Sequence, residues 1–348
     1  MKDLFVRFPE NPILQPADIH SSREDMVIEC LLNPGAFRYQ GKTWLLLRVA
    51  ERPVQEPGFI SFPVFGGDRT IQIVKFDLSD PKLNASDPRI ITYDGRQYLT
   101  TMSHLRLVSS EDGITFHEEP DYPALFCETE QEAYGIEDCR VTRIGDEYHL
   151  TYSVASHMGV GVGLRTTRDW KTVQNRGMIF TAHNKDCAIF DETIQGKYFA
   201  FHRPSSPEIG GNYIWIAESP DLDHWGKHRC IALTRPGHWD SVRLGAGAAP
   251  IRTPEGWLAI YHGANEQNRY CLGALLLDLA EPWNVLARSV DPIMEPEADY
   301  EKTGFFGNVV FTNGHVIDGD RITMYYGAAD TVICGATASI SRILETLR

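Results

Sequence analysis

One hairpin unit recurs along the 348 residues of this chain, and this repetition constrains the fold more than any other feature. Each copy has a short polar opening, a strand, a turn, and a second strand rich in aromatic residues. The turns YQGK, YDGR, IGDE, IQGK, TPEG and IDGD join β-rich flanks, as antiparallel hairpins require. The six copies begin at Asn33, Ser86, Glu137, Lys185, Gly247 and Gly307. The repetition predicts an all-β protein.

Several copies continue into a further strand that ends in a polar turn and an aromatic residue, as in IWIAESPDLDHW. A period of roughly 50 to 60 residues with three or four strands in each unit is typical of a β-propeller. A two-sheet sandwich is the competing fold, but it does not explain why the same hairpin recurs with its polar opening intact. Helical periodicity is nearly absent, and only SISRILETLR at the C-terminal end predicts a short helix.

The blade number stays open at this point. The six copies correspond to six blades, or to five blades with one copy split between the two ends of the chain to close the ring. The stretch from Arg52 to Leu83 has the pattern of a long loop over one face. We treat residues 1–348 as a single β-propeller catalytic domain.

Net charge limits the partners of this protein. Lysine and arginine total 33 against 47 aspartates and glutamates, which gives a formal charge of −14. A strongly acidic chain is a poor partner for nucleic acid or for an anionic membrane surface, so we expect neither. One small anion can still bind in a local basic pocket, and phosphate chemistry therefore remains open. The sequence also leaves a homo-oligomer open.

Cysteine usage and the N-terminal segment indicate the compartment. The seven cysteines are scattered at wide intervals without a CxxC pair or a cluster with zinc-ligand spacing, at positions 30, 127, 139, 187, 230, 271 and 334. This usage predicts no metal site and favours free thiols in a reducing cytoplasm. MKDLFVRFPENPIL lacks the apolar stretch of a secretory signal, and no apolar run approaches the ~18 residues of a membrane span.

The polar openings of the repeats are the candidate site. In a propeller the innermost strand of each blade runs along the central axis, so residues that open these strands meet at one mouth of the channel. Acids, bases and aromatic rings in such a funnel suit a carbohydrate, whose hydroxyls need hydrogen-bond partners. We expect substrate contacts from Asn33, Arg48, Asp87, Arg140, Asp186, His202, Tyr261 and Asp330.

Cleavage of a bond between sugars needs a proton donor and a nucleophile on the opposite face of the ring. Asp138, in GIEDCR, is the candidate donor. If one carboxylate serves as the acid, the attacker must arrive already charged, and basic side chains must hold it. Arginine grips phosphate through its bidentate fork. The candidate phosphate-binding residues are Lys185, Arg203, Arg243 and His262.

Each candidate also has a structural interpretation. Asp138 could cap a turn and pair with Arg140, and Arg203 could bridge neighbouring blades. His262 could be a core histidine with satisfied hydrogen bonds. Arg243 precedes the sequence GAGA, which by itself is a weak phosphate signal. No single motif decides between these alternatives.

The set of motifs taken together resembles glycoside hydrolase family 130, the inverting β-mannoside phosphorylases and mannosidases. The motifs occur in family order across residues 135–331, and they are GIEDCR, NKDCAIF, FHRP, WDSVRLGAGAAPI, GWLAIYHG, NVVF and MYYGAADT. NPGAF and LLLRVAERP extend the match toward the N-terminus. The resemblance implies a five-bladed β-propeller, so that one of the six copies is extra or shared.

The resemblance also implies residue roles. Asp138 becomes the general acid, which protonates the glycosidic oxygen through the 3-hydroxyl of the bound mannose. Phosphate attacks the anomeric carbon and releases α-mannose 1-phosphate, and its grip falls on Arg203, Arg243 and His262. Departures from the family pattern are Cys139, where proline is usual, and Asp191-Glu192 in place of Pro-Glu.

The family divides into phosphorylases and hydrolases, and the hydrolytic members replace part of the basic set with glutamates. This chain keeps the basic set, which favours the phosphorylase. The hairpin SDPRIITYDGRQYL resembles the branch that acts on β-1,2-linked mannosides. We therefore expect phosphorolysis of β-1,2-mannobiose or oligomannose with inorganic phosphate as co-substrate and no cofactor. A β-1,2-mannosidase and a non-catalytic carbohydrate-binding propeller are the alternatives.

Overall fold

The computed structural model describes residues 3–66, 70–86, 90–205 and 209–348. These residues confirm the all-β prediction, since their α-helices are limited to α1 (Asp299–Lys302) and α2 (Ile340–Glu345). Helix α2 is the short C-terminal helix that the sequence predicts, and the Ser339 hydroxyl caps its first turn by accepting from the Arg342 amide. No helix in the described ranges is long and apolar enough to cross a membrane.

Twenty-six strands carry the fold within the described residues. Their bounds, in chain order, are β1 (Val6–Arg7), β2 (Met26–Tyr39), β3 (Lys42–Pro53), β4 (Phe59–Phe65), β5 (Ile71–Asp77), β6 (Leu83–Asn84), β7 (Ile90–Tyr93), β8 (Arg96–Leu99), β9 (Met102–Ser110), β10 (His117–Glu118), β11 (Ile136–Ile144), β12 (Glu147–Ser156), β13 (Gly159–Thr167), β14 (Val173–Phe180), β15 (Asn184–Ile189), β16 (Tyr198–Pro204), β17 (Ile214–Ser219), β18 (Gly226–Ala232), β19 (Arg243–Ala246), β20 (Ile251–Thr253), β21 (Gly256–Ala264), β22 (Tyr270–Leu277), β23 (Val285–Arg288), β24 (Val310–Asp318), β25 (Arg321–Ala328) and β26 (Val332–Ser339).

The described strands form five larger antiparallel sheets. Sheet I has the order β2-β3-β9-β10, sheet II β11-β12-β13-β14, and sheet III β15-β16-β17-β18. Sheet IV has the order β19-β21-β22-β23, with β20 paired to β21, and sheet V the order β24-β25-β26-β1. Strand β1 pairs with β26, so the two ends of the chain share one sheet.

The sheets contact one another in a cycle. Strand β2 of sheet I contacts β11 of sheet II, β11 contacts β15 of sheet III, and β15 contacts β19 of sheet IV. Strand β22 of sheet IV contacts β24 of sheet V, and β24 contacts β2 again. The inner strands approach closely enough that a Cβ atom at Gly314 would overlap the backbone of Ala36. Glycine is therefore required at that point.

The hydrophobic core lies between neighbouring sheets. One cluster joins sheets III and IV through Phe190, Phe201 and Trp257, all almost fully buried. Strand β21 is buried along its whole length, and β12 at nine of its ten positions. A sheet that is covered on both faces gives near-continuous apolar strands in place of strict alternation.

A β-bulge recurs at the polar openings of the repeats and orients their side chains. The ladder register shifts near Asn33 in β2, near Asp138 in β11 and near Asp186 in β15. These three residues have φ values of 32°, 49° and 53°, in the left-handed region. Asparagine and aspartate tolerate this conformation better than other side-chain-bearing residues, and a bulge redirects a side chain. The polar residue at each opening is thus the one that the bulge requires.

The structure bears on the blade number that the sequence left open, and it corrects one sequence prediction. The copy that begins at Ser86 contributes to a separate three-stranded sheet, β6-β7-β8, so six hairpins do not give six large sheets. The stretch from Arg52 to Leu83 is not mostly loop, because β4 and β5 pair in it from Phe59 to Asp77. The β-branched and aromatic residues of FISFPVF and IQIVKFD have the composition of strands. The five-bladed propeller itself stays a prediction.

Candidate active site

A cavity of about 190 Å³ lies where the inner strands meet. Strands β2, β11, β15 and β19 each contribute a polar or charged residue to its wall, and the turn after β25 contributes another. Its lining is Asn33, Arg48, Asp138, Lys185, Arg243, Tyr270, Phe306, Val309, Phe311 and Asp330. Six of these ten residues belong to the set that the sequence predicted.

Asp138 is held by two partners at the cavity wall. Its Oδ1 accepts from Arg48 Nη1 at 3.0 Å and from Asn33 Nδ2 at 3.0 Å. The second arm of the Arg48 guanidinium donates from Nη2 to Glu137 Oε1 at 2.8 Å. Arg140, by contrast, donates to the main-chain oxygen of Asp138 at 2.9 Å. The carboxylate is therefore paired with Arg48, whereas Arg140, the partner in the structural alternative, holds the backbone of Asp138.

The charges around Asp138 keep it ionised. Burial raises the pKa of this carboxyl, but the Arg48 and Lys185 charges outweigh burial and hold the pKa at about 2. The same surroundings raise the pKa of Arg48, because Glu137 and Asp138 more than offset the effect of burial. A deprotonated carboxylate beside a protonated guanidinium is thus the resting state at neutral pH.

Asp330 is the second carboxylate of the cavity, and its surroundings have the opposite effect. It occupies the turn between β25 and β26 with φ at 50°. Burial and the negative charge of Asp138 raise the pKa of Asp330 to about 6, against the attraction of Arg48. Two carboxylates whose pKa values differ by about four units share one wall, an arrangement that is common where proton transfer takes place.

Asp186 is the centre of a buried charge cluster behind the cavity wall. Arg203 Nη1 lies 2.8 Å from its Oδ2, His262 Nε2 lies 3.4 Å from the same oxygen, and Arg140 Nη2 lies 3.3 Å from Oδ1. Burial raises the pKa of the Asp186 carboxyl, but Arg203 and His262 outweigh it and hold the pKa well below its usual value. A methyl group at Gly245 would overlap both Asp186 and His262, so this cluster needs glycine there.

The four residues predicted to bind phosphate are close together but lie at two depths. Lys185 and Arg243 line the cavity, and Arg243 Nη1 donates to the Tyr270 hydroxyl at 2.9 Å. Arg203 and His262 lie behind them, with Arg203 Nη1 3.5 Å from His262 Nε2. Burial lowers the pKa of His262 to about 4, so its ring is neutral near pH 7. His262 can donate or accept a hydrogen bond there but adds no positive charge.

Two residues predicted to contact the substrate, Arg140 and Asp186, have side chains that are engaged inside the protein. Arg140 is 1% exposed, and besides Asp138 it donates to the carbonyl oxygens of Gly247 at 3.1 Å and Ala246 at 2.7 Å. Asp186 is paired with Arg203 and Arg140, and the neutral His262 ring lies 3.4 Å from its Oδ2. Neither residue lines the cavity in the described part of the chain.

Two further predicted contacts face other parts of the molecule. Tyr261 is in the core and donates to Asp240 Oδ2 at 2.9 Å. His202 lies on the face of β16 opposite Arg203, where its ring stacks on Phe180 at 4.6 Å. Neighbouring residues of a strand point to opposite faces, which is why only one residue of each of these pairs, Tyr261-His262 and His202-Arg203, reaches the charge cluster. Asp87 lies outside the described residues.

The apolar part of the lining was missed by sequence reasoning. Tyr270, Phe306, Val309 and Phe311 carry no charge, and aromatic residues are frequent in every repeat of this chain. The NVVF motif, which contains Val309 and Phe311, was the available signal. Phe311 packs against His262 with ring centroids 4.1 Å apart, so it also positions the imidazole.

A carboxylate paired with arginine, facing cations in an aromatic-lined cavity, defines a candidate enzyme that acts on glycosidic bonds with an anionic co-substrate. Comparison with known proteins agrees with this class. The family described as Glyco_hydro_130, beta-1,4-mannooligosaccharide phosphorylase, matches residues 88–348. The chain belongs to glycoside hydrolase family 130.

Individual relatives cover the chain more fully. A beta-1,2-mannobiose phosphorylase of Listeria innocua is 46% identical over 347 residues, which are 98% of each protein. A 1,2-beta-oligomannan phosphorylase of Thermoanaerobacter sp. is 41% identical over 245 residues, 68% of this chain and 79% of that protein. The solved structure of the Listeria innocua enzyme in complex with beta-1,2-mannobiose superposes with a TM-score of 0.93 at 45% identity, covering 99% of both chains.

Proposed function

We propose that this protein is an inverting phosphorylase that converts β-1,2-linked mannobiose or short oligomannosides and inorganic phosphate into α-mannose 1-phosphate. The observation that carries the proposal is the cavity in which Asp138 faces two cations, Lys185 and Arg243. The names of the Listeria and Thermoanaerobacter relatives support the β-1,2 linkage. The family description names a β-1,4 linkage, but that description applies to the family as a whole.

Each group in the cavity has a place in the proposed reaction. An oxygen of phosphate attacks the anomeric carbon from the side of Lys185 and Arg243, and the bond from that carbon to the glycosidic oxygen breaks. Asp138 gives its proton to the 3-hydroxyl of the mannose, which passes its own proton to the leaving oxygen. Attack opposite to the leaving group inverts the configuration, so the β-mannoside yields an α-phosphate. The products are α-mannose 1-phosphate and a shortened sugar.

Because the pKa of Asp138 is low in the free chain, phosphate binding is proposed to help protonate this acid. In the free chain the carboxyl is ionised and cannot donate a proton. Phosphate bound at Lys185 brings negative charge to one of the cations that hold the pKa down, so the pKa of Asp138 rises in the complex. Asp138 then takes up a proton from solvent before the chemical step. This coupling favours turnover only when both substrates are present.

Asn33, Arg48 and Asp330 are proposed to contact the sugar directly from the cavity wall. Asp186 and Arg140 are proposed to act behind it, where they fix Arg203 and His262. Tyr270 and Phe311 offer ring faces to the apolar side of a mannose. The reaction needs no metal or organic cofactor, because the proton comes from a carboxyl group and arginine and lysine bind the phosphate.

The architecture proposed for this enzyme is a five-bladed β-propeller that forms one catalytic domain. The cyclic contacts of sheets I to V and the pairing of β1 with β26 support it. We also propose that the enzyme works in the cytoplasm. All seven cysteines are free thiols, which fits a reducing compartment.

Product analysis tests the proposed function. The purified protein is incubated with β-1,2-mannobiose, with and without inorganic phosphate, and products are separated by anion-exchange chromatography. We expect α-mannose 1-phosphate and mannose in equal amounts only when phosphate is present. Free mannose alone, formed without phosphate, would identify a mannosidase, and no turnover of any β-mannoside would identify a binding protein.

A further inference from the structure

A second cavity, of about 430 Å³, lies on the face of sheet III that is opposite to the active-site cations. We call it the side cavity, and its walls are Phe180, Trp215 and Trp225. The rings of Phe180 and Trp225 are 5.6 Å apart, and both tryptophans are partly exposed. An aromatic wall that is open to solvent offers ring faces to a ligand.

The floor of the side cavity is polar and neutral. The buried His202 ring contacts the Asn184 amide through Nδ1 at 3.0 Å and the ring of His228 through Nε2 at 3.1 Å. Burial, together with His228, lowers the pKa of His202 to about 3, so this imidazole stays uncharged. The nine described residues that line the cavity include no aspartate, glutamate, lysine or arginine. The site therefore suits a neutral ligand with hydrogen-bonding groups.

A sugar ring matches this combination of surfaces. Its C–H faces pack on aromatic rings, and its hydroxyls donate to and accept from imidazole, amide and hydroxyl groups. The volume is within the ~300–1,000 Å³ range of small-molecule sites. We propose that the side cavity binds a mannopyranose ring. The choice of mannose among sugars rests on the proposed function, since mannose residues are both its substrate and its released product.

The side cavity and the active-site cavity share a wall. Asn184 directly precedes Lys185 on β15, and His202 directly precedes Arg203 on β16. Consecutive residues of a strand point to opposite faces, so Lys185 lines the active-site cavity with Arg203 behind it, whereas Asn184 and His202 line the side cavity. The bound ring is therefore either the far end of an oligomannoside that also occupies the active site, or free mannose.

Tryptophan fluorescence can report on the side cavity alone. None of the ten described residues that line the active-site cavity is a tryptophan, whereas the side cavity has two. Mannose and β-1,2-mannotetraose are titrated into the Asp138→Asn variant, in which turnover is blocked. We expect saturable quenching that is lost in Trp215→Ala, added to this background. His228→Ala changes an exposed side chain and should weaken binding about tenfold without affecting folding.

Trp283→Ala is the matched control, because Trp283 is also partly buried but packs on Phe199, away from the side cavity. Quenching should persist in this variant. The proposal is overturned if neither sugar gives saturable quenching, or if the quenching survives both Trp215→Ala and His228→Ala.

Steady-state kinetics with Asp138 intact distinguish the two sources of the ring. If one oligomannoside spans both cavities, Trp215→Ala lowers kcat/KM for mannotetraose about tenfold and leaves kcat/KM for mannobiose unchanged. If the site takes free mannose, both kcat/KM values stay the same while the quenching by mannose is lost. Production of mannose 1-phosphate from mannobiose is measured in parallel. Its absence would refute the proposed function, whereas the fluorescence titration needs no turnover and would still test the side cavity.

Discussion

Asp138 and Asp186 occupy equivalent positions in neighbouring sheets, yet their surroundings differ. Each lies in a bulge of an innermost strand, with φ at 49° and 53°, and each is followed by a buried cysteine. Asp138 has one cationic partner within ion-pair distance among the described residues, and its side chain forms part of the cavity wall. Asp186 contacts two arginines and a histidine behind that wall.

The difference shows how one backbone device serves two purposes. The bulge and the left-handed residue aim a carboxylate toward the centre of the molecule in both sheets. The number of cations around the carboxylate then decides how firmly it is held as an anion. Three neighbours hold Asp186 as an anion, whereas the proposed reaction requires Asp138 to regain a proton when a ligand neutralises its neighbours.

The largest expected effect is a loss of activity on substitution of Asp138, which distinguishes it from Asp186. Asp138→Asn should lower kcat for phosphorolysis by about 10²–10⁴-fold, the usual contribution of a general acid. The free energy of unfolding should change little, because Arg48 keeps its ion pair with Glu137. Release of mannose 1-phosphate and denaturant unfolding are measured on the same preparation. A variant with near-normal kcat would show that Asp138 is not the acid.

The free energy of unfolding should also distinguish the two aspartates, with the larger loss on substitution of Asp186. Asp186→Asn leaves Arg203 and Arg140 buried without their anion, and breaking a buried ion pair costs about 3–5 kcal/mol. Urea unfolding followed by circular dichroism measures this loss against Asp138→Asn as the matched variant. Equal losses of unfolding free energy in the two variants would contradict the assignment of Asp186 to a positioning role.

The sequence predicted the fold class because the evidence for it is repeated. Polar openings, glycine turns and aromatic strands recur in every unit, so an error in one copy does not change the conclusion. The Ser86 copy shows the limit, since its hairpin has the same local pattern but pairs into a separate small sheet. Local pattern predicts a hairpin, whereas tertiary contacts decide which sheet it joins.

The site was predicted in part for a related reason. Asn33, Arg48, Asp138, Lys185, Arg243 and Asp330 line one cavity, as the meeting of the polar openings implied. Tyr261 and His202 do not line this cavity, because a motif names two neighbours and strand alternation sends only one of them toward the charge cluster. The partner of Asp138 was also missed. Arg48 is 90 residues away in sequence, and only the tertiary fold shows that it is nearer to the carboxylate than Arg140.

A third test concerns the residues predicted to bind phosphate, some of which line the cavity while others lie behind it. Arg243 lines the cavity, so Arg243→Ala should raise KM for phosphate by about one to two orders of magnitude. KM for mannobiose should change far less. Arg143→Ala is the matched control, because Arg143 is an exposed arginine of β11. Equal rises in both KM values, or activity that does not depend on phosphate, would favour the hydrolase.

The smallest expected effect tests the contrast between Asp138 and Asp330, the two carboxylates of the cavity wall. Asp330 has a pKa raised to about 6, so between about pH 4 and pH 6 the folded chain binds a proton that the unfolded chain has released. Its contribution to stability is therefore largest below the unfolded pKa of ~3.9 and is lost as the pH rises through about 6. A fully buried group with this shift would change stability by about 3 kcal/mol, and the partly exposed Asp330 should change it by about 1 kcal/mol.

Asp330→Asn removes the titration, so the gain in unfolding free energy between pH 7 and pH 5 should be smaller in the variant than in the unmodified protein. Urea unfolding at the two pH values measures both differences. If the two proteins respond equally to pH, Asp330 is not protonated in this window.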